Sequence, residues 1–212
     1  MTTPHLTRRL FVAIAAGGAI SAVAGCIPVL PMTLSPDASD KIGFGLWAGV
    51  RGAKFGDPVD RTVGIRRIRG PRVWTHPITG RRLKVYVRTK RERSGTKTSY
   101  YTMRADGTAL ARVYDRRPGR SDRYFTDDAF MPMGPWWNGK TKSYRMAQHF
   151  DGKTRPYTVS IRVTRASFTH KGIPGSMEYV WTERTSKGRK TKALRYVYSP
   201  GRGLVVAENL MK

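Results

Sequence analysis

Few residues in this 212-residue chain have the type and spacing to do covalent chemistry. The histidines are His5, His76, His149 and His170, and none has the i, i+3 or i, i+4 neighbour that a helical metal site uses. The chain has one cysteine, Cys26, so no Cys–Cys or Cys–His ligand set forms and no metal is expected. His149 stands two residues before Asp151, half of a hydrolytic triad on paper, but no G-x-S-x-G nucleophile turn is present. Asp127 and Asp128 are adjacent, so in a strand their carboxylates diverge. A role at the N-terminus of a short helix over 127–133 suits them better than a general acid/base pair. These residues argue against an enzyme, with an envelope hydrolase as the remote alternative, and they ask for no cofactor.

Gly134 to Thr141 satisfies G-x-x-x-x-G-K-[ST] letter for letter. A working phosphate loop needs a buried strand before it and a helix after it, so that backbone N–H groups converge on the phosphates. Here Pro132 interrupts the approach, Trp136 and Trp137 crowd the loop, and Lys142 to Phe150 reads as a strand. No nucleotide is expected. The tryptophan pair is read as a core plug or as an amphipathic tip meeting a membrane or a sugar ring.

Charge is the strongest compositional feature. Lys and Arg total 40 against 14 acidic residues, a formal net charge of +26. Such an excess bears on partners more than on fold. It gathers in three blocks that fall between strand-like runs: Arg88, Lys90, Arg91, Arg93 and Lys97; Arg116, Arg117 and Arg120; Lys187, Arg189, Lys190 and Lys192. Each contains Gly or Ser and reads as a loop. A cation-rich loop can protect a sheet edge or grip an anionic surface.

The first twenty-six residues carry an address. Arg8 and Arg9 open an uncharged run from Leu10 to Ala24, which ends in Val23-Ala24-Gly25-Cys26. A positive start, a short apolar segment and small residues before a cut mark a secretory signal, and fifteen apolar residues fall short of the roughly 20 that span a bilayer. The Val-Ala-Gly-Cys close resembles the lipobox of bacterial lipoproteins, and Arg8, Arg9 and Phe11 resemble a twin-arginine export motif. The resemblance implies cleavage after residue 25, acylation of Cys26 and a membrane-anchored mature chain carrying +24 once Arg8 and Arg9 are lost. Ile27 in place of Asp is similar to the outer-membrane sorting pattern of Gram-negative lipoproteins, which implies the periplasmic face of the outer membrane. After export the available anions are lipid headgroups, lipopolysaccharide and cell-wall polyanions rather than nucleic acid.

The remaining chain must position those charges. Residues 26–41 hold Pro28, Pro31, Pro36 and two serines and read as a tether. From 42 to 212 period-two alternation dominates. Leu83, Val85 and Val87 face away from Lys84, Tyr86 and Arg88, and Val159, Ile161 and Val163 alternate with Ser160, Arg162 and Thr164. Asp106-Gly107, Asn138-Gly139 and Asp151-Gly152 mark tight hairpins. About ten strands imply an all-β, antiparallel single domain, a barrel or strongly curved sheet, with an apolar face inside and the Arg and Lys outside. Tyr196 to Val206, with Ser199-Pro200-Gly201-Arg202-Gly203 between two strands, resembles the terminal hairpin of certain periplasmic β-proteins of unknown function. That likeness admits a second function: a carrier sheltering an acyl chain in a hollow sheet.

Overall fold

The computed structural model describes residues 43–211. After a short helix, α1 (43–48), the chain runs almost wholly as strands. These are β1 (Val59–Val63), β2 (Arg66–Thr75), β3 (Arg82–Glu92), β4 (Gly95–Met103), β5 (Ala109–Arg116) and β6 (Arg123–Thr126). There follow β7 (Met131–Pro132), β8 (Thr141–Phe150), β9 (Lys153–His170), β10 (Ile173–Thr185), β11 (Lys190–Ser199) and β12 (Gly203–Asn209). All pair antiparallel in one sheet whose order follows the chain, except that β7 adds only to β5. The all-β expectation holds: the sheet curls into a half-barrel.

Turn chemistry and alternation explain the local structure. Asp151 and Gly152 both take positive φ, 49° and 66°, in a two-residue turn that sets Phe150 opposite Lys153. The β11–β12 turn uses Gly201 and Gly203 at φ 72° and 61° and pairs Ser199 with Gly203. Side chains tie the two ends of the sheet together: Arg61 of β1 donates to Gly201 O in the β11–β12 turn at 3.1 Å, and Arg66 of β2 to Leu204 O of β12 at 3.4 Å.

The concave side is filled. Val159, Ile161, Val163, Tyr179, Trp181 and Tyr198 rise from β9, β10 and β11 into a core completed by α1. The Phe44 ring stands 4.6 Å from Tyr86, and Trp47 stands 5.0 Å from Tyr101. Phe130, Met131 and Met133 pack in from the stretch before β8. Trp181 donates to Ala129 O at 2.9 Å and Tyr179 to Phe130 O at 3.0 Å, fixing that stretch against the sheet.

Two expectations are corrected. Residues 127–133 form no helix: Asp127 takes φ 56°, and the stretch crosses the core as extended chain ending in β7. Its backbone acceptors serve Trp181 and Tyr179 in place of a helical ladder. Nor do Arg88 and Lys90 of β3 lie outside. Cross-strand partners share a face, and Tyr86, Arg88 and Lys90 lie on the concave side, opposite Tyr101, Ser99 and Lys97. The convex face of β2–β6 instead carries Trp74, Tyr100, Tyr114 and Tyr124 in a contiguous aromatic row, with Trp74 5.3 Å and Tyr114 4.8 Å from Tyr100. Val85 faces that row and is fully buried.

Candidate anion-binding site

An antiparallel sheet that follows chain order sends alternate turns to opposite ends. The β1–β2, β3–β4, β5–β6, β8–β9 and β10–β11 connections therefore share one end of the half-barrel. All three basic blocks gather at that end, but the loop reading is corrected: Arg93, Arg117, Arg120, Lys187 and Arg189 lie on connections, whereas Arg88, Lys90, Arg91, Lys97, Arg116, Lys190 and Lys192 sit on the strands β3, β4, β5 and β11 that run into them. Arg91, Arg93, Arg116, Arg120, Lys187, Arg189 and Lys190 are exposed and form a rim.

Inside the rim is a hollow of about 170 Å³ lined by seven cations: Arg66, Arg88, Lys90, Lys97, Arg112, Arg117 and Lys192. Register explains their convergence. Arg66 pairs with Lys90, and Lys90 with Lys97, so three like charges stand directly opposite one another on β2, β3 and β4. Directly opposed like charges oppose sheet pairing. Carboxylates compensate only in part. Glu92 accepts from Lys90 at 2.8 Å, and Asp115 lies 3.1 Å from Lys97 and 3.3 Å from Arg117. The buried Asp128 lies 3.4 Å from Arg112, whose guanidinium stacks 4.1 Å above Phe125.

Electrostatics follow from this crowding. Burial brings the Lys97 ammonium down to about 8, with Asp115 opposing the shift and Arg117 and Arg112 adding to it. Burial would raise Asp115, but Arg112 and Lys97 outweigh it and hold the carboxyl below its ordinary range. Asp128 is pushed up to about 6 by burial, against the pull of Arg112. Arg88 donates to Tyr101 OH and lies over the Tyr101 and Phe130 rings at 4.8 and 5.5 Å. Chemically the arrangement offers N–H donors and positive potential in a partly desolvated hollow, the requirements for holding an anion.

Of the cations singled out by sequence, the structure divides one set into two. Arg88, Lys90, Lys97, Arg117 and Lys192 line the hollow, while the other seven form the rim. Sequence reasoning missed Arg66, and it began its third basic block at Arg112 without placing Arg112 among the binding cations. The signal for Arg112 was present, since it interrupts the otherwise uncharged run Ala109 to Tyr114.

Other candidates disperse. Trp136 is core, with its indole N–H donating to Met133 O at 2.7 Å, and only Trp137 of the pair reaches the surface. Lys140 folds back to donate to Pro135 O and lies 3.9 Å from the Trp137 ring centre, and Thr141 opens strand β8 where a phosphate loop would open a helix. His149 binds Thr126 and Thr154 through its two nitrogens, at 3.3 and 3.0 Å. His76 is buried: its Nδ1 accepts from Ile78 N at 3.2 Å, so Nε2 carries the proton that Phe125 O accepts at 3.0 Å. Among the described residues no three His, Cys, Asp or Glu side chains group as a metal site, and no helix is long and apolar enough to cross a membrane. Arg8, Arg9, Phe11 and Cys26 lie outside the described residues. Comparison with known proteins finds no matching family model, no matching curated protein and no matching solved structure.

Proposed function

We propose that this chain is a lipid-anchored, non-catalytic binding module of the bacterial cell envelope, whose basic end engages anionic envelope components. The observation that carries this reading is the convergence of three basic blocks on one end of the half-barrel, around a cation-lined hollow. Near an anionic membrane each Lys or Arg contributes roughly 1 kcal/mol within a Debye length, so a rim of seven gives substantial attraction with no covalent chemistry. An acylated Cys26 would hold the chain at a membrane and leave the basic end to supply the second signal that durable attachment needs. The acyl-carrier alternative asks for an apolar hollow. The concave side is instead packed with aromatic and aliphatic side chains, and the hollow that remains is charged, which favours an anionic group over an acyl chain.

Vesicle flotation tests the proposal, using protein that lacks residues 1–26 so that no acyl chain contributes. Binding to vesicles of phosphatidylcholine with phosphatidylglycerol, absent for phosphatidylcholine alone and lost at about 1 M salt where the Debye length is about 3 Å, is the expected result. Equal, salt-insensitive binding to both would refute it.

A further inference from the structure

The rim and the hollow differ in kind. A rim of exposed, separated cations recognises charge density alone. The hollow holds Arg66, Lys90 and Lys97 in register, and although Lys90, Lys97, Arg112 and Arg117 each lie near a carboxylate, three of its seven cations have none among the described residues. Arg66 and Arg88 have no carboxylate within ion-pair distance among the described residues, making hydrogen bonds to Leu204 O and Tyr101 OH instead. Lys192 stands opposite Glu183 on β10, yet Glu183 is engaged by Arg155 at 2.6 Å and by Thr191 at 2.9 Å, and among the described residues Lys192 makes no ion pair. Buried Arg112 Nε faces Asp128 at 3.4 Å without making a hydrogen bond among the described residues. The row Arg66, Lys90 and Lys97 opposes strand pairing, and the apolar floor of Phe130, Tyr196 and Leu204 denies it full hydration. Such a cluster is costly to the fold unless something neutralises it.

We propose that this hollow is a discrete site for a phosphoryl oxyanion, the dianionic end of a phosphate monoester or a pyrophosphate. Three features select that chemistry. The excess of cations exceeds what one carboxylate would balance. Guanidinium forks on Arg66, Arg88 and Arg117 combine with the point charges of Lys97 and Lys192, and a tetrahedral oxyanion offers acceptors to both kinds from several directions. A hollow of about 170 Å³ admits a compact polyatomic anion. This inference rests on the reading that the basic end meets anions, and adds that the interior, not the rim, does the recognising.

Calorimetry on the full chain in neutral-detergent micelles tests it, with inorganic pyrophosphate as one arm and micelles doped with phosphatidic acid as the other. Saturable one-to-one binding of either supports the site. Pyrophosphate binding identifies the free anion as sufficient, and binding to doped micelles alone identifies a lipid headgroup. Lys192→Met should weaken binding at least tenfold and Lys192→Arg by less than threefold, whereas the rim double variant Arg93→Ala/Arg189→Ala should change it by less than twofold. Equal losses from Lys192→Met and the rim variant would overturn the site while leaving the basic-end reading intact. Failure to bind either probe, in protein that floats with anionic vesicles, would do the same. Should the protein also fail to float, both readings fall.

Discussion

Lys97 Nζ lies 3.1 Å from Asp115 Oδ1, and this pair joins the binding hollow to the stability of the sheet. Asp115, its side chain 1% exposed, also meets Arg117 at 3.3 Å and accepts from Ser99 Oγ at 2.7 Å. One carboxylate thus restrains two of the cations that face the hollow.

Asp115→Asn should therefore destabilise the fold. Removing one partner leaves Lys97 and Arg117 uncompensated in a partly buried setting, at a cost of about 3 kcal/mol. A lowered urea midpoint with an unchanged m-value would be the expected signature, since neither folded nor unfolded compactness need alter. A midpoint within error of the parent would show that solvent already screens the pair.

The Lys97 ammonium should make anion affinity depend on pH. Its folded value of about 8 lies below the ordinary lysine value of 10.5, so the fold disfavours the charged form. That penalty on stability is full below about pH 8 and is relieved as pH rises from there towards 10.5. Anion binding runs the other way, because it needs the charge, and weakens as pH rises through about 8. Lys192, shifted in the same direction by burial and Arg112, reinforces the trend. Calorimetry of pyrophosphate binding from pH 7 to 9.5, in buffers of different ionisation enthalpy, should show proton uptake on binding near pH 8.5. A flat affinity across that range would remove Lys97 from the site.

Glu178 should govern acid stability from the opposite face. It accepts from Arg165 of β9 at 2.8 Å, from Arg195 of β11 at 2.6 Å and from Thr164 at 2.7 Å, so it clamps three strands. Burial would raise its pKa, but these donors hold the carboxyl at about 2. Its stabilisation is present above the unfolded value of 4.5 and is lost as pH falls through about 2. Urea midpoints taken between pH 2 and pH 6 should therefore drop less steeply in Glu178→Gln than in the parent. Identical slopes would mean that another carboxylate controls the acid limb.

Strand existence and turn positions were legible because alternation and turn chemistry are local. Asp151-Gly152 needs only its own backbone conformation to set the β8–β9 register, and Pro200 to Gly203 likewise fixes the return into β12. The inside of the sheet was not legible. Period two separates the Tyr86–Arg88–Lys90 face from the Val85–Val87 face but does not say which one curls inward, and an aromatic row on the convex side buries Val85 as fully as the core buries Tyr86. The helix was misplaced for a related reason. Residues 127–133 look able to turn, yet the indole of Trp181 and the hydroxyl of Tyr179, some fifty residues away in sequence, claim their carbonyls. The partition of the cations into hollow and rim depends on strand order and curl, which no single segment encodes.

The central claim concerns place: anions meet this protein at the end carrying the β3–β4, β5–β6 and β10–β11 connections. Nuclear magnetic resonance with a short-chain anionic phospholipid below its micelle concentration tests that most directly. Shifts should concentrate in the amides of residues 90–97, 116–122 and 185–192 and in the Arg66, Arg88 and Arg112 Nε–H signals, leaving the β4–β5 and β11–β12 turns at the opposite end unmoved. Shifts centred on that opposite end, or spread evenly over the surface, would contradict the account.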